Sequence, residues 1–223
     1  MNALWMGRDP GDLELKHRVF LCHSGAQKGF VEQLDKDLRS VDQNPFFDKD
    51  RESLPIGDHF PTLILRAIER CDVGVVFLSE EFFMRSHWPM FEVVKMVECG
   101  RRIMPIFLGI SPGDLSNEEK VAKWKWKWEA WAKDNGRIDV AKWESTLRFL
   151  RPLNGLVYNN SVGEVKFREE IVKEVCKMVP STYAWDDSHV QGMSRICKVM
   201  SMTGNVEMSC VVLYQEIDHH LQM

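Results

Sequence analysis

The sequence is poor in the features that would give its function away. No two of its six cysteines, Cys22, Cys71, Cys99, Cys176, Cys197 and Cys210, form a Cys-x-x-Cys pair. The first three lie inside or beside apolar runs, the pattern of buried free thiols rather than of a disulfide framework or a zinc site. No metal site is expected. No apolar stretch approaches the ~20 residues of a membrane span. The N-terminus, MNALWMGRDPGDLELKH, lacks an uninterrupted apolar core and carries acids early, which argues against a secretory leader. There is no excess of basic charge either. Lys+Arg total 29 and Asp+Glu 33, a net charge of −4, so no general electrostatic footprint for nucleic acid exists. No internal repeat is visible. These absences describe a reduced, soluble, cytoplasmic protein that binds no membrane.

Ordinary globular composition is present, with 44% hydrophobic and 28% charged residues over 223 positions. That length suits one domain of about 150 residues with extensions. Short apolar runs alternate with segments of helical period. Residues 17–22 end at the turn signal His23-Ser24-Gly25, and Phe30, Val31, Leu34, Leu38 and Val41 then mark one helix face. A short strand at residues 45–47 runs into a polar loop, and residues 59–70 are helical, with Pro61 tolerable only in the first turn. Residues 73–78 read as a strand buried on both faces. Residues 86–100 read as a helix with Ser86 as N-cap and Gly100 at its end. Residues 103–108 form a strand whose internal Pro105 predicts a bend or a partly unpaired position. A weak fifth strand falls within 147–153 or 155–158, and residues 162–178 make a last amphipathic helix. Strands alternating with helices predict an α/β fold: a flavodoxin-like, five-stranded, mainly parallel sheet with helices on both faces. Such sheets bind ligands at the carboxyl ends of their strands.

Several motifs follow one another in order. Val19-Phe20-Leu21 precedes a polar turn, Phe47-Asp48 leads a long loop containing Gly57, and Ala67-Ile68-Glu69 stands before Cys71. Val75 to Glu80 reads VVFLSE, followed by Ser86-x-Trp88-x-x-x-Glu92, then by Met104-Pro105-Ile106-Phe107 and Ser111-Pro112-Gly113-Asp114. Together they resemble the Toll/interleukin-1 receptor (TIR) domain, above all the plant TIR domains, including stand-alone TIR proteins. The resemblance covers about residues 17–180, leaving extensions at 1–16 and 181–223. It implies the fold predicted above. Two departures stand out: the Arg-Gly pair usual in the first turn of plant TIR domains is Ser24-Gly25 here, after His23, and the usual Cys after the helix Trp is Pro89.

Glu92 is the leading candidate for chemistry. Read from periodicity alone, it is a partly exposed acid that pairs with Lys95 or caps a neighbour. The resemblance aligns it instead with the glutamate that NAD-cleaving TIR enzymes require, which makes NAD+ a substrate and leaves no cofactor to be bound. Trp88, four residues earlier, shares its helix face and is either a wall for ribose or nicotinamide or simple core packing. His23, Ser24 and Gly25 follow the first strand, where the family binds its dinucleotide; without the family His23 is an ordinary turn residue. The loop bounded by Asp48 and Asp58 resembles the BB loop, which covers the pocket and contacts a neighbouring TIR domain, with Ile56 and Gly57 at its tip. Phe82 and Phe83 line the adenine side or pack under a helix.

The segment KWKWKWEAWAKD, if helical, places Trp124, Trp128 and Trp131 in one stripe with Trp126 off-face. Interleaved Lys and Trp suit single-stranded nucleic acid or a membrane surface, but a packed or self-associating surface is the simpler reading. His219-His220 reads as tail, and residues 206–217 as an edge strand or a helix. Two functions remain. One is a self-associating NAD nucleosidase releasing nicotinamide with ADP-ribose or its cyclic isomers as immune or cell-death signals. The other is a non-catalytic TIR adaptor. A phosphoacceptor receiver on the related sheet is set aside, because no acidic cluster follows the strands.

Overall fold

The computed structural model describes residues 17–48 and 60–180. Strand β1 (Val19–Cys22) leads through a 3-10 turn into α1 (Lys28–Arg39), and β2 (Pro45–Phe46) precedes α2 (Phe60–Arg70). Then come β3 (Val73–Leu78), α3 (Glu80–Met84), α4 (Trp88–Glu98), β4 (Arg102–Phe107), α5 (Glu118–Asp134), α6 (Val140–Leu150), β5 (Leu156–Val157) and α7 (Glu164–Met178). The sheet order is β2-β1-β3-β4-β5, and every pairing is parallel. This is the flavodoxin-like order, whose switch point lies between β1 and β3. The expected fold is therefore present, with the sheet wholly rather than mainly parallel.

Side-chain alternation along the strands sorts two cores. Val19 and Leu21 of β1, with Val73, Val75 and Phe77 of β3, meet Val31, Leu34 and Leu38 of α1 and Phe167, Ile171 and Val175 of α7. The intervening positions Phe20, Cys22, Val76 and Leu78 face the opposite layer, formed by α2 to α6. That second core is the aromatic one. Helix α4 lies so close that a Cβ on Gly74 would clash with the Met96 sulfur, which is why the second position of β3 carries a glycine.

Local chemistry fixes the ends of α4. Pro89 occupies its first turn, where a missing N–H costs nothing. The helix begins one residue later than expected from Ser86: His87 is the N-cap, and the Ser86 hydroxyl accepts the Trp88 N–H at 3.3 Å. It ends at Gly100, with φ +62°, as expected, where Arg101 N–H donates to Met96 O and Gly100 N–H to Val97 O. This is the paired closure that a left-handed glycine permits. Pro105 pairs with Val76 on β3, while β5 joins β4 only at Ile106 and Phe107, beyond the proline. The fifth strand is thus the 155–158 alternative; residues 147–150 belong to α6.

Backbone contacts divide the chain after Ser181. The expected extensions 1–16 and 181–223, and with them His219, His220, Cys197 and Cys210, lie outside the described residues, as does most of the 48–58 loop. The described cysteines Cys22, Cys71, Cys99 and Cys176 are free. Among the described residues no helix is long and apolar enough to cross a membrane, and no group of three His, Cys, Asp or Glu could hold a metal ion.

Candidate active site at the end of strand β1

Three elements converge at the carboxyl end of β1. Alternation turns Cys22, the last residue of β1, toward α4, where its buried thiol donates to the Pro89 carbonyl at 3.7 Å and also reaches the carboxyl of Glu92. Glu92 lies three residues after Pro89 and four before Met96, at the edge of the buried face of α4, and is half-buried. The parallel pairing of β2 with β1 carries Asp48 to the same edge. Phe20, Leu21, His23, Phe46, Asp48, Ile64 and Glu92 line a cavity of about 20 Å³, room for one water molecule.

Electrostatics single this cavity out. Burial pushes the Glu92 carboxyl up to about 7 from an ordinary 4.5; the Cys22 thiol and the positive charge of His23 pull against that shift, and Asp48 adds to it. The Cys22 thiol is itself pushed far up, first by burial and then by Glu92. It is a hydrogen-bond donor here, not a nucleophile.

His23 is buried, and each of its ring nitrogens meets an acceptor. Nδ1 lies 2.8 Å from the Ser24 carbonyl oxygen and Nε2 lies 3.3 Å from Asp48 Oδ1. Only an imidazolium has a proton for both. Burial alone would lower its pKa, but Asp48 and the Ser24 carbonyl together hold it above the ordinary value. Asp48 is lowered in turn: its burial acts upward, and His23 and Lys28, whose Nζ lies 3.6 Å from Oδ2, outweigh it. Asp48 Oδ1 is buried and has no aligned hydrogen bond, so it keeps accepting capacity beside Glu92.

The other expected site residues fall in different places. Ser24 is buried and committed locally: its hydroxyl accepts the Ala26 N–H and donates to Gln27 Oε1, capping the 3-10 turn Gly25–Gln27. Gly25 is exposed, with nothing within 4 Å of where a Cβ would stand. Ile56 and Gly57 lie outside the described residues.

Phe83 requires correction, and Trp88 stands outside the Glu92 cavity. Phe83 has no exposed surface and stacks on Trp124 at 4.1 Å, with the Trp128 indole N–H on its carbonyl at 3.0 Å; it is core and cannot line a ligand crevice in this arrangement. Phe82 is equally buried. Trp88 is not among the described residues that line the Glu92 cavity. It is 39% exposed and lines a separate groove of about 300 Å³ with Leu65, Phe91, Val94 and Trp143. Sharing a helix face did not bring the two residues to one cavity, because α4 turns Glu92 toward β1 and Trp88 toward α2 and α6.

Cys22 and Asp48 were missed as site members. The signal available was topological: Cys22 ends β1 and Asp48 follows β2 by two residues, both at the carboxyl edge of the sheet.

With this geometry in place, comparison with known proteins is informative. Residues 19–135 match the TIR domain family. The chain belongs to that family. Disease resistance protein RBA1 of Arabidopsis thaliana is 26% identical over 214 residues, 92% of this chain and 57% of RBA1. The NAD(+) hydrolase TcpA of a Theionarchaea archaeon is 31% identical over 115 residues, 49% of this chain and 34% of its own length. The probable 2′ cyclic ADP-D-ribose synthase BdTIR of Brachypodium distachyon is 27% identical over 68% of this chain and 64% of BdTIR. The chain thus spans between about a third and two thirds of the length of these relatives. Among solved structures, the TIR domains of the activated Roq1 resistosome superpose with a TM-score of 0.61 and 25% identity, over 70% of this chain and 98% of theirs. The TIR architecture and its plant relatives agree with the expectation from sequence, and membership extends from β1 into α5.

Proposed function

We propose that this TIR domain cleaves NAD+ at the bond between nicotinamide and ribose, with Glu92 as the catalytic carboxylate. The observation that carries the reading is the desolvated carboxyl of Glu92, set at the carboxyl end of β1 and titrating near neutrality. A carboxyl held out of water at a cost to folding is a mark of functional sites; a docking module has no use for one. The names of two relatives, an NAD(+) hydrolase and a cyclic ADP-ribose synthase, lend support.

The reaction suits a single acid. As the C1′–N1 bond breaks, its electron pair passes to the ring nitrogen and cancels the pyridinium charge, so the leaving group is neutral and needs no proton. Ordinary glycosides need an acid and a partner carboxylate. Positive charge develops on the ribosyl carbon, and a preorganised carboxylate stabilises it. Water then attacks to give ADP-ribose, or one of the molecule's own hydroxyls closes a cyclic isomer. In either branch Glu92, poised near pH 7, takes the proton from the attacking oxygen.

A dinucleotide needs several hundred Å³, far more than the cavity beside Glu92 offers. Turnover therefore requires that this edge open or be completed by a second protomer. Self-association through TIR–TIR contacts, including the loop between Asp48 and Asp58, accounts for that requirement, and activity should rise more steeply than in proportion to protein concentration. The decisive experiment is incubation of the purified chain with NAD+ and mass analysis of the products. Nicotinamide with ADP-ribose or a cyclic isomer is expected, reduced at least about a hundredfold in Glu92→Ala. Undiminished turnover in that variant overturns the role given to Glu92, and no turnover in the native chain at high concentration leaves the adaptor reading in its place.

A further inference from the structure

A half-buried ion pair sits against the catalytic carboxylate, and cleavage as described above gives it no task. Breaking the glycosidic bond needs no histidine and no second acid. Yet His23 and Asp48 are both drawn into the wall of the Glu92 cavity, each at a desolvation cost. An ion pair drawn out of water is a poor source of stability, so its position calls for a functional account.

We propose that His23 is a positioning residue of the site: held as an imidazolium between the Ser24 carbonyl and Asp48, it is the fixed positive charge that keeps Glu92 a carboxylate while the ribosyl cation forms. The geometry supports this in three ways. Both ring nitrogens face acceptors, Nδ1 the Ser24 carbonyl oxygen at 2.8 Å and Nε2 the Asp48 Oδ1 at 3.3 Å, an arrangement for which only the imidazolium has two protons. Asp48 is held on its other oxygen by Lys28 at the start of α1, so the partner of His23 is itself anchored. And the groups around Glu92 leave no other cation. The end of β1 brings Cys22 and, just beyond it, His23; the chain two residues past β2 brings Asp48, α2 brings only Ile64 to the cavity wall, and α4 brings Glu92 itself. Among the described residues of that wall, His23 alone carries positive charge.

Without His23, Glu92 would face Asp48 across the cavity with no cation between them. Two carboxylates sharing one site cannot both stay ionised near neutrality. Glu92 would then hold its proton and be useless against a cation. Asp48 thus has two effects on Glu92, opposing its ionisation directly and favouring it by holding the imidazolium. The proposal rests on the reading of Glu92 as the catalytic group, but its central measurement does not require turnover.

The test is NMR titration of the full chain with labelled Glu carboxyl carbons and His ring nitrogens. In the native protein both His23 nitrogens should be protonated at pH 7, with release only above the ordinary 6.5. In His23→Gln the Glu92 midpoint should rise by about one unit or more. Nicotinamide release by that variant should fall about tenfold at pH 7 and recover as the pH is raised toward 9, with KM little changed. A neutral His23 at pH 7 in the native protein overturns the proposal, and needs no variant to fold. So does a Glu92 midpoint that does not move in His23→Gln, or a rate loss equal at every pH, which marks a merely structural residue. A shifted midpoint in a protein that never cleaves NAD+ upholds the coupling and refutes the enzymatic reading instead.

Discussion

Two loops leave the same edge of the sheet and acquire opposite characters. After β1 the chain keeps polar groups in the dark: Cys22, His23 and, from beside β2, Asp48, around a cavity that Glu92 completes. After β3 it closes everything. Ser79 caps α3 by accepting the Phe82 N–H at 3.1 Å, and Phe82 and Phe83 drop into a core sealed by Trp124 and Trp128. There each buried indole N–H has its acceptor, Glu80 for Trp124 and the Phe83 carbonyl for Trp128. One loop is arranged for reactivity at a cost to stability, the other for stability alone. The residues near a strand's carboxyl end are thus not equally informative: whether a loop ends in a helix cap or in unsatisfied charge tells them apart.

That contrast can be broken or sharpened by substitution. Trp128→Ala removes one of the two buried indoles of α5 that seal the second loop and should cost about 3–5 kcal/mol in urea unfolding, while the folded fraction retains its NAD+ turnover. A selective loss of turnover would join the two regions into one site. Glu92→Gln should do the reverse, abolishing turnover and stabilising the fold. Its carboxyl titrates near 7 in the folded protein against 4.5 ordinarily. A raised carboxyl pKa is neutral for stability below the unfolded value, becomes a growing penalty as pH rises from 4.5 to 7, and stays at full size above. The gap corresponds to ~3 kcal/mol, which partial exposure reduces to ~1–2 kcal/mol. Thermal unfolding at pH 8 should therefore rise by a few degrees in the variant, and the advantage should vanish at pH 4. Least of all should Trp126→Ala matter. Its indole is 67% exposed on α5, and the expected change is within about 0.5 kcal/mol. A large effect on activity there would revive the reading of the Lys-Trp segment as a self-associating surface.

Much of the fold was legible because it is written in period. The six-residue apolar run of β3 and the spaced apolar faces of α1, α2 and α7 are local patterns that tertiary packing did not override. The parallel order followed from their alternation. Glu92 was legible only through its place in Trp88-x-x-x-Glu92 within a family pattern, since its desolvation depends on residues seventy positions away. What stayed hidden is set across strands. Asp48 reaches the site because β2 pairs with β1, and Cys22 because strand alternation faces it to α4; neither fact has a local signature. Phe83 as a ligand-lining residue is overturned for the converse reason, and the place of Trp88 was not legible either. Aromatic residues on neighbouring helices look alike in sequence, and only the docking of α5 and α6 decides which of them is sealed.

The central claim is that a desolvated carboxyl at the end of β1 does the chemistry. Its most direct measurement is the pH dependence of nicotinamide release by the native chain at saturating NAD+. The rate should climb through an acid limb with a midpoint near 7, following the titration of Glu92. A rate already at its plateau by pH 5.5, as an ordinary solvent-exposed glutamate would give, contradicts the account.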